Sequence, residues 1–115
     1  MKRVLVAEND PLISKLINTT LYKEFELQFC EDNAAVLQAL HEQSDFALVI
    51  IDYELFKSEN SAAFIESLQQ APLILLAKRQ SATLPEELDS NRVTLVMKPF
   101  SPIQFLTLAR SLAKS

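Results

Sequence analysis

Phe46-Ala47-Leu48-Val49-Ile50-Ile51-Asp52 decides the fold of this chain. An apolar run this short, with no polar face, reads as a strand buried on both sides of a sheet. A carboxylate directly after it has no place in a core. It belongs beyond the strand's end, at the sheet edge where a parallel α/β protein binds its ligands. Two other runs end in the same way. Val4-Leu5-Val6-Ala7 leads into Glu8-Asn9-Asp10, and Val93-Thr94-Leu95-Val96-Met97 leads into Lys98-Pro99. Acids and a lysine at three strand ends suggest one small site for a phosphate and a cation.

Outward from this run, strand and helix patterns alternate five times. A first strand spans about Arg3 to Ala7. A helix then starts near Asp10-Pro11, a capping residue followed by proline at a first-turn position. Leu12, Ile13, Leu16, Ile17 and Leu21 fall on one face of that helix. Glu26 to Cys30 alternates, with Leu27 and Phe29 set against Glu26 and Gln28, as a half-exposed edge strand does. Asn33 can cap a second helix carrying Val36, Leu37 and Leu40. A third helix is expected over Ser61 to Gln70 with Phe64, Ile65 and Leu68 inward, and a fourth buried strand over Leu73 to Leu76. The segment from Lys78 to Arg92 is the least patterned; a turn or two of helix could begin at Pro85 and use Leu88. A fifth strand covers Val93 to Val96. A last helix begins at Ser101-Pro102 with Ile103, Phe105, Leu106, Ala109 and Leu112 available for packing. Strands alternating with helices imply a parallel sheet with helices on both faces.

Composition narrows the function. The 115 residues fit one domain, residues 1–115, and 49% hydrophobic content marks a globular chain. The longest apolar stretch, Ala71 to Ala77, is too short to span a bilayer, and the apolar segment behind Met1-Lys2-Arg3 is too short for a signal peptide. The expectation is a cytoplasmic protein that does not engage a membrane. A net charge of −4 argues against direct nucleic-acid binding by this domain. Cys30 is the only cysteine and reads as a small strand residue. His41 is the only histidine and reads as a solvated side chain, so neither a catalytic triad nor a histidine metal cluster is available. There is no glycine at all, which excludes a glycine-rich phosphate loop and a dinucleotide fingerprint. Any turn that needs positive φ must use Asn or Asp, the next most tolerant residues, with Asn60 and Asn91 the candidates.

In a parallel sheet all strand carboxyl ends share one edge, so Glu8, Asn9, Asp52, Ala77 and Lys98 should converge. Glu8 and Asp52 are hard oxygen ligands of the kind that hold Mg²⁺ together with water and phosphate oxygens. Lys98 supplies a compact positive charge for a phosphate or for Asp52 itself. A carboxylate beside such groups can act as a nucleophile towards phosphorus and carry an aspartyl-phosphate.

These residues resemble the receiver domains of two-component response regulators, over essentially the whole chain. Val4-Leu5-Val6-Ala7-Glu8-Asn9-Asp10-Pro11 is similar to the family's first strand and acidic turn, and Val49-Ile50-Ile51-Asp52 to its phosphoacceptor strand. Pro72-Leu73-Ile74-Leu75-Leu76-Ala77 is similar to its fourth strand, and Lys98-Pro99-Phe100 to its lysine-proline-phenylalanine turn. Each match is weak alone; their order and spacing are specific together. The resemblance implies a flavodoxin-like (βα)5 fold, a doubly wound five-stranded parallel sheet in the order 2-1-3-4-5. It implies that Asp52 accepts a phosphoryl group from a histidine kinase or phosphotransfer protein. It further implies that Glu8, Asn9, Asp52 and the backbone carbonyl of Glu54 hold Mg²⁺, that Lys98 contacts the phosphate, and that the bond before Pro99 is cis. The output would be a downstream effector or a fused domain. Whether the chain stands alone or belongs to a longer protein, and whether it forms a homodimer, stay open.

The chain also departs from the family. Asn9 stands where a second acid is usual, so Mg²⁺ should be held weakly or not at all. Ala77 replaces the threonine or serine whose hydroxyl bonds the phosphate and draws the next loop inward. Leu95 replaces the aromatic residue coupled to that hydroxyl. A ligand shifts an equilibrium only through contacts that differ between the two states, and both ends of the usual switch are missing. Leu55-Phe56 replaces Met-Pro, and the output face formed by the helix before the fifth strand, that strand and the last helix is altered. Two functions follow: a phosphorylated receiver with a non-standard response, or a phosphorylation-independent pseudo-receiver that binds proteins. A flavin or nucleotide binder of flavodoxin type is a remote third, against which the missing glycines argue. Glu86-Glu87 reads as a solvated face and Phe100 as core packing.

Overall fold

The computed structural model describes residues 1–43, 45–57, 61–69, 71–78 and 92–114. Their strands are β1 (Lys2–Ala7), β2 (Phe25–Cys30), β3 (Phe46–Asp52), β4 (Leu73–Ala77) and β5 (Val93–Met97). The helices are α1 (Pro11–Leu21), α2 (Asn33–Glu42), α3 (Tyr53–Lys57), α4 (Ser61–Leu68) and α5 (Pro102–Leu112). All strand pairs are parallel and the sheet runs β2-β1-β3-β4-β5. This is the expected doubly wound order. The segment expected to hold a short helix from Pro85, with Glu86-Glu87, and both Asn60 and Asn91 lie outside the described residues.

Strand alternation builds two cores. Leu5, Val49, Ile51, Leu73 and Leu75 face one side with Val36, Leu40, Phe56, Phe64 and Leu68. Val4, Val6, Leu48, Ile50, Ile74 and Leu76 face the other with Ile17, Leu21, Phe105 and Ala109. Phe56 meets Phe64 edge to face at 5.5 Å, and Phe100 stacks on Phe105 at 4.2 Å, so Phe100 is core packing as expected. Between Arg3 and Val4 the β1–β3 register shifts. There Arg3 lies over the Phe46 ring and hydrogen-bonds Gln28 and Gln43.

Several sequence expectations need correction. Leu12 and Ile103 do not pack; they are 77% and 80% exposed. Each is the second residue of a helix opened by proline, in a first turn, with the packed residues of its helix further along. Phe29 is 44% exposed rather than inward, on a strand with no neighbour on its outer side. The α2 cap is Asp32, whose carboxylate accepts from the Ala35 amide at 2.8 Å. Asn33 is instead the first helical residue, buried, with its amide donating to the Leu55 carbonyl at 2.5 Å. The expected third helix ends at Leu68, preceded by the unforeseen α3. Gln69 has φ of 56°, so a glutamine takes a conformation expected only of Asn or Asp. His41 is exposed and Cys30 buried. Burial, with the Asp32 charge adding to it, pushes the Cys30 thiol pKa up, which keeps it protonated and unreactive.

Candidate functional site

Three strand ends meet at the carboxyl edge of the sheet. Asp52 is the last residue of β3, paired with Leu76 of β4. Glu8 directly follows β1 and Lys98 directly follows β5. Lys98 extends the β5 pairing by one bond, its amide donating to the Ala77 carbonyl at 2.8 Å. Its side chain then crosses the end of β4. Nζ donates to Asp52 Oδ1 at 2.9 Å and stands 2.7 Å from Glu8 Oε1. The contact to Glu8 is ion to ion; among the described residues no donor is aligned on Oε1 as a hydrogen bond.

All three groups are withdrawn from solvent. The side chains of Lys98, Glu8 and Asp52 are 5%, 1% and 8% exposed. Isolated charges at such depth are costly, and pairing is what makes them tolerable. Burial opposes the Lys98 ammonium, but its contacts with Glu8 and with Asp52 outweigh that, and its pKa stands above the ordinary lysine value. Glu8 is fixed at its other end too. Its Oε2 accepts from the Asp10 amide at 3.0 Å, and its carbonyl accepts from the Ser14 hydroxyl at 3.2 Å. Asp10 caps α1 through the Leu12 amide at 2.9 Å, so its carboxylate is engaged in the turn.

The structure thus brings Glu8, Asp52 and Lys98 together. Asn9 is exposed, and Glu54 is an exposed residue within α3, where carbonyls run along the helix axis. Among the described residues, no group of three or more His, Cys, Asp or Glu side chains is placed to hold a metal ion. The donor set therefore fits Mg²⁺ poorly: two carboxylates already share one ammonium, and Asn9 adds no charge. Ala77 ends β4, buried, and Leu95 lies in β5 opposite Leu75, partly buried. The Lys98–Pro99 bond is cis. The sequence reading missed the Glu8–Lys98 contact. The available signal was the opposite charge at the ends of β1 and β5. An open hollow beside the site is lined by Glu8, Asn9, Ser14, Phe29, Cys30 and Glu31.

A sheet in this order, with acids at the ends of β1 and β3 and a lysine after the edge strand β5, has the fold of response-regulator receiver domains. No family model matches the sequence, and no curated protein matches it. Solved structures do. The chain is similar to the N-terminal domain of a response regulator/sensory box/GGDEF three-domain protein from Carboxydothermus hydrogenoformans, with TM-score 0.81 and 19% identity over 98% of this chain and 94% of that one. It is similar to a receiver-modulated diguanylate cyclase from Pelobacter carbinolicus, with TM-score 0.77 and 18% identity over 99% and 93%. It is also similar to the chemotaxis protein CheY4 of Vibrio cholerae, with TM-score 0.71 and 19% identity over 97% and 98%.

Proposed function

We propose that this chain is a phosphorelay receiver whose acceptor is Asp52. The observation that carries the reading is a buried carboxylate at the carboxyl edge of a receiver-type sheet, hydrogen-bonded by Lys98 at 2.9 Å. In the transfer, an Asp52 oxygen forms a bond to phosphorus as the bond from phosphorus to a donor imidazole breaks, and the electron pair leaves with that imidazole. Lys98 neutralises charge on the oxygens in motion. The donor is a histidine kinase or phosphotransfer protein. The chain acts on no other substrate; its chemistry is its own phosphorylation and dephosphorylation. No step runs through a metal ion, because Glu8 and Asp52 already hold Lys98 between them.

The reading places the chain in the cytoplasm; among the described residues no helix is long and apolar enough to cross a membrane. Its output is an effector protein or a fused domain, as in the three-domain response regulator/sensory box/GGDEF protein and the receiver-modulated diguanylate cyclase whose structures it is similar to. A second reading, a pseudo-receiver that binds partners without phosphate control, is favoured by Ala77 and Leu95, which offer no hydroxyl or aromatic ring to report a phosphate. Intact mass after incubation with a small phosphodonor separates the two. The first expects an acid-labile gain of one phosphoryl group that Asp52→Ala abolishes; no gain on the native chain would sink it for such donors.

A further inference from the structure

Lys98 serves two acids rather than one. Its ammonium stands 2.7 Å from Glu8 Oε1 and 2.9 Å from Asp52 Oδ1, with all three side chains almost fully buried. We propose that Lys98 is the resident cation of this site, and that a divalent ion binds between Glu8 and Asp52 only by displacing it. This rests on the reading of these three residues as the functional site, and it assigns them a relation to metal ions.

The charges carry the argument. Two carboxylates and one ammonium sum to −1, and the ammonium lies between the carboxylates. A divalent ion entering beside it would meet a like charge in a poorly screened place. Glu8 cannot turn away to make room: Oε2 is tied to the Asp10 amide at 3.0 Å, and the Glu8 carbonyl is held by Ser14 at 3.2 Å. Asn9 is exposed and uncharged, so it brings nothing to offset the ammonium. Asp10 is occupied as the cap of α1. Without the lysine, the same Glu8 and Asp52 would become two converging hard-oxygen ligands, the usual protein share of a Mg²⁺ site. Removing the ammonium should therefore create metal affinity.

The test uses the full chain and reads binding. Amide NMR follows Mg²⁺ titration, and Mn²⁺ broadening marks the ion's position, in the native protein, Lys98→Met and Lys98→Gln. The native protein should show no saturation with millimolar Mg²⁺, and either variant that keeps the native amide pattern should bind at least about tenfold tighter at Glu8 and Asp52. The ¹⁵N resonance of the Lys98 ammonium decides the matter in the native protein without any substitution. It should stay in its paired state in millimolar Mg²⁺ and leave that state in step with any ion that does bind. A native site that saturates while the Lys98 ammonium keeps its place overturns the proposal, as does a folded lysine variant with no gain in affinity. Failure of Asp52 to accept a phosphoryl group would leave these results untouched, so the two readings fail separately.

Discussion

Removing the Lys98 ammonium would leave Glu8 and Asp52 as neighbouring buried carboxylates with no counter-charge. Breaking a buried ion pair from one side typically costs about 3–5 kcal/mol, so Lys98→Met is expected to lose stability on that order at neutral pH in urea unfolding. The alkaline behaviour follows from the raised lysine pKa. The folded state holds the proton more tightly than the unfolded chain, whose lysine titrates near 10.5. The stabilisation is complete below that value and disappears as pH climbs through the folded value. Melting temperature should therefore fall more steeply above pH 10.5 in the native protein than in Lys98→Met. Gln69 is a second residue where one side chain decides something local. Its φ of 56° suits glycine or asparagine better. Gln69→Gly should be neutral or stabilising by up to about 1 kcal/mol, and Gln69→Val destabilising, by the same unfolding measurement. Asp52 was legible in the sequence because an acid closing an apolar strand has one place to go. Lys98's second partner was not, since several acids lie near strand ends and only packing selects Glu8.

At the scale of elements, strands were the most legible part, because the buried runs leave no other period to read. The starts of α1, α2, α4 and α5 were legible to within a residue. At α2 the adjacent Asp32 and Asn33 are both capping types, and the local sequence does not rank them. Tertiary structure does: the Asn33 amide reaches Leu55, drawing Asn33 into the first turn and leaving Asp32 as the cap. Asp32→Ala is expected to cost about 1 kcal/mol, measured by urea unfolding, and Asp32→Asn much less. The apolar faces of α1 and α5 were read one residue too wide. Helical periodicity marks a stripe but not how far the sheet extends beneath it, so Leu12 and Ile103 were counted as core though they stand clear of it. The short α3 carried no signal of its own; its five residues are too few for a helical period to be recognised.

The whole molecule is two cores divided by one sheet. Val49 belongs to one and Ile17 to the other. Truncation to alanine at either site should cost a few kcal/mol, with the two losses adding to within about 0.5 kcal/mol in denaturant unfolding, because the sites share no packing partners. Strong coupling between them would mean that the sheet transmits strain from face to face. The strand order was also legible, through the resemblance and the alternation of elements. One consequence of the order concerns Lys98. It follows the edge strand β5, yet its charge is anchored on β3 and β1, so its aliphatic stem bars the end of β4 like a latch across a door. Edge strands are where a sheet begins to fray, and here fraying at the carboxyl edge must first break two ion contacts. Whatever draws the ammonium off those acids also unlatches the outer strand, so the electrical state of three side chains and the mechanical looseness of the sheet's rim are one variable.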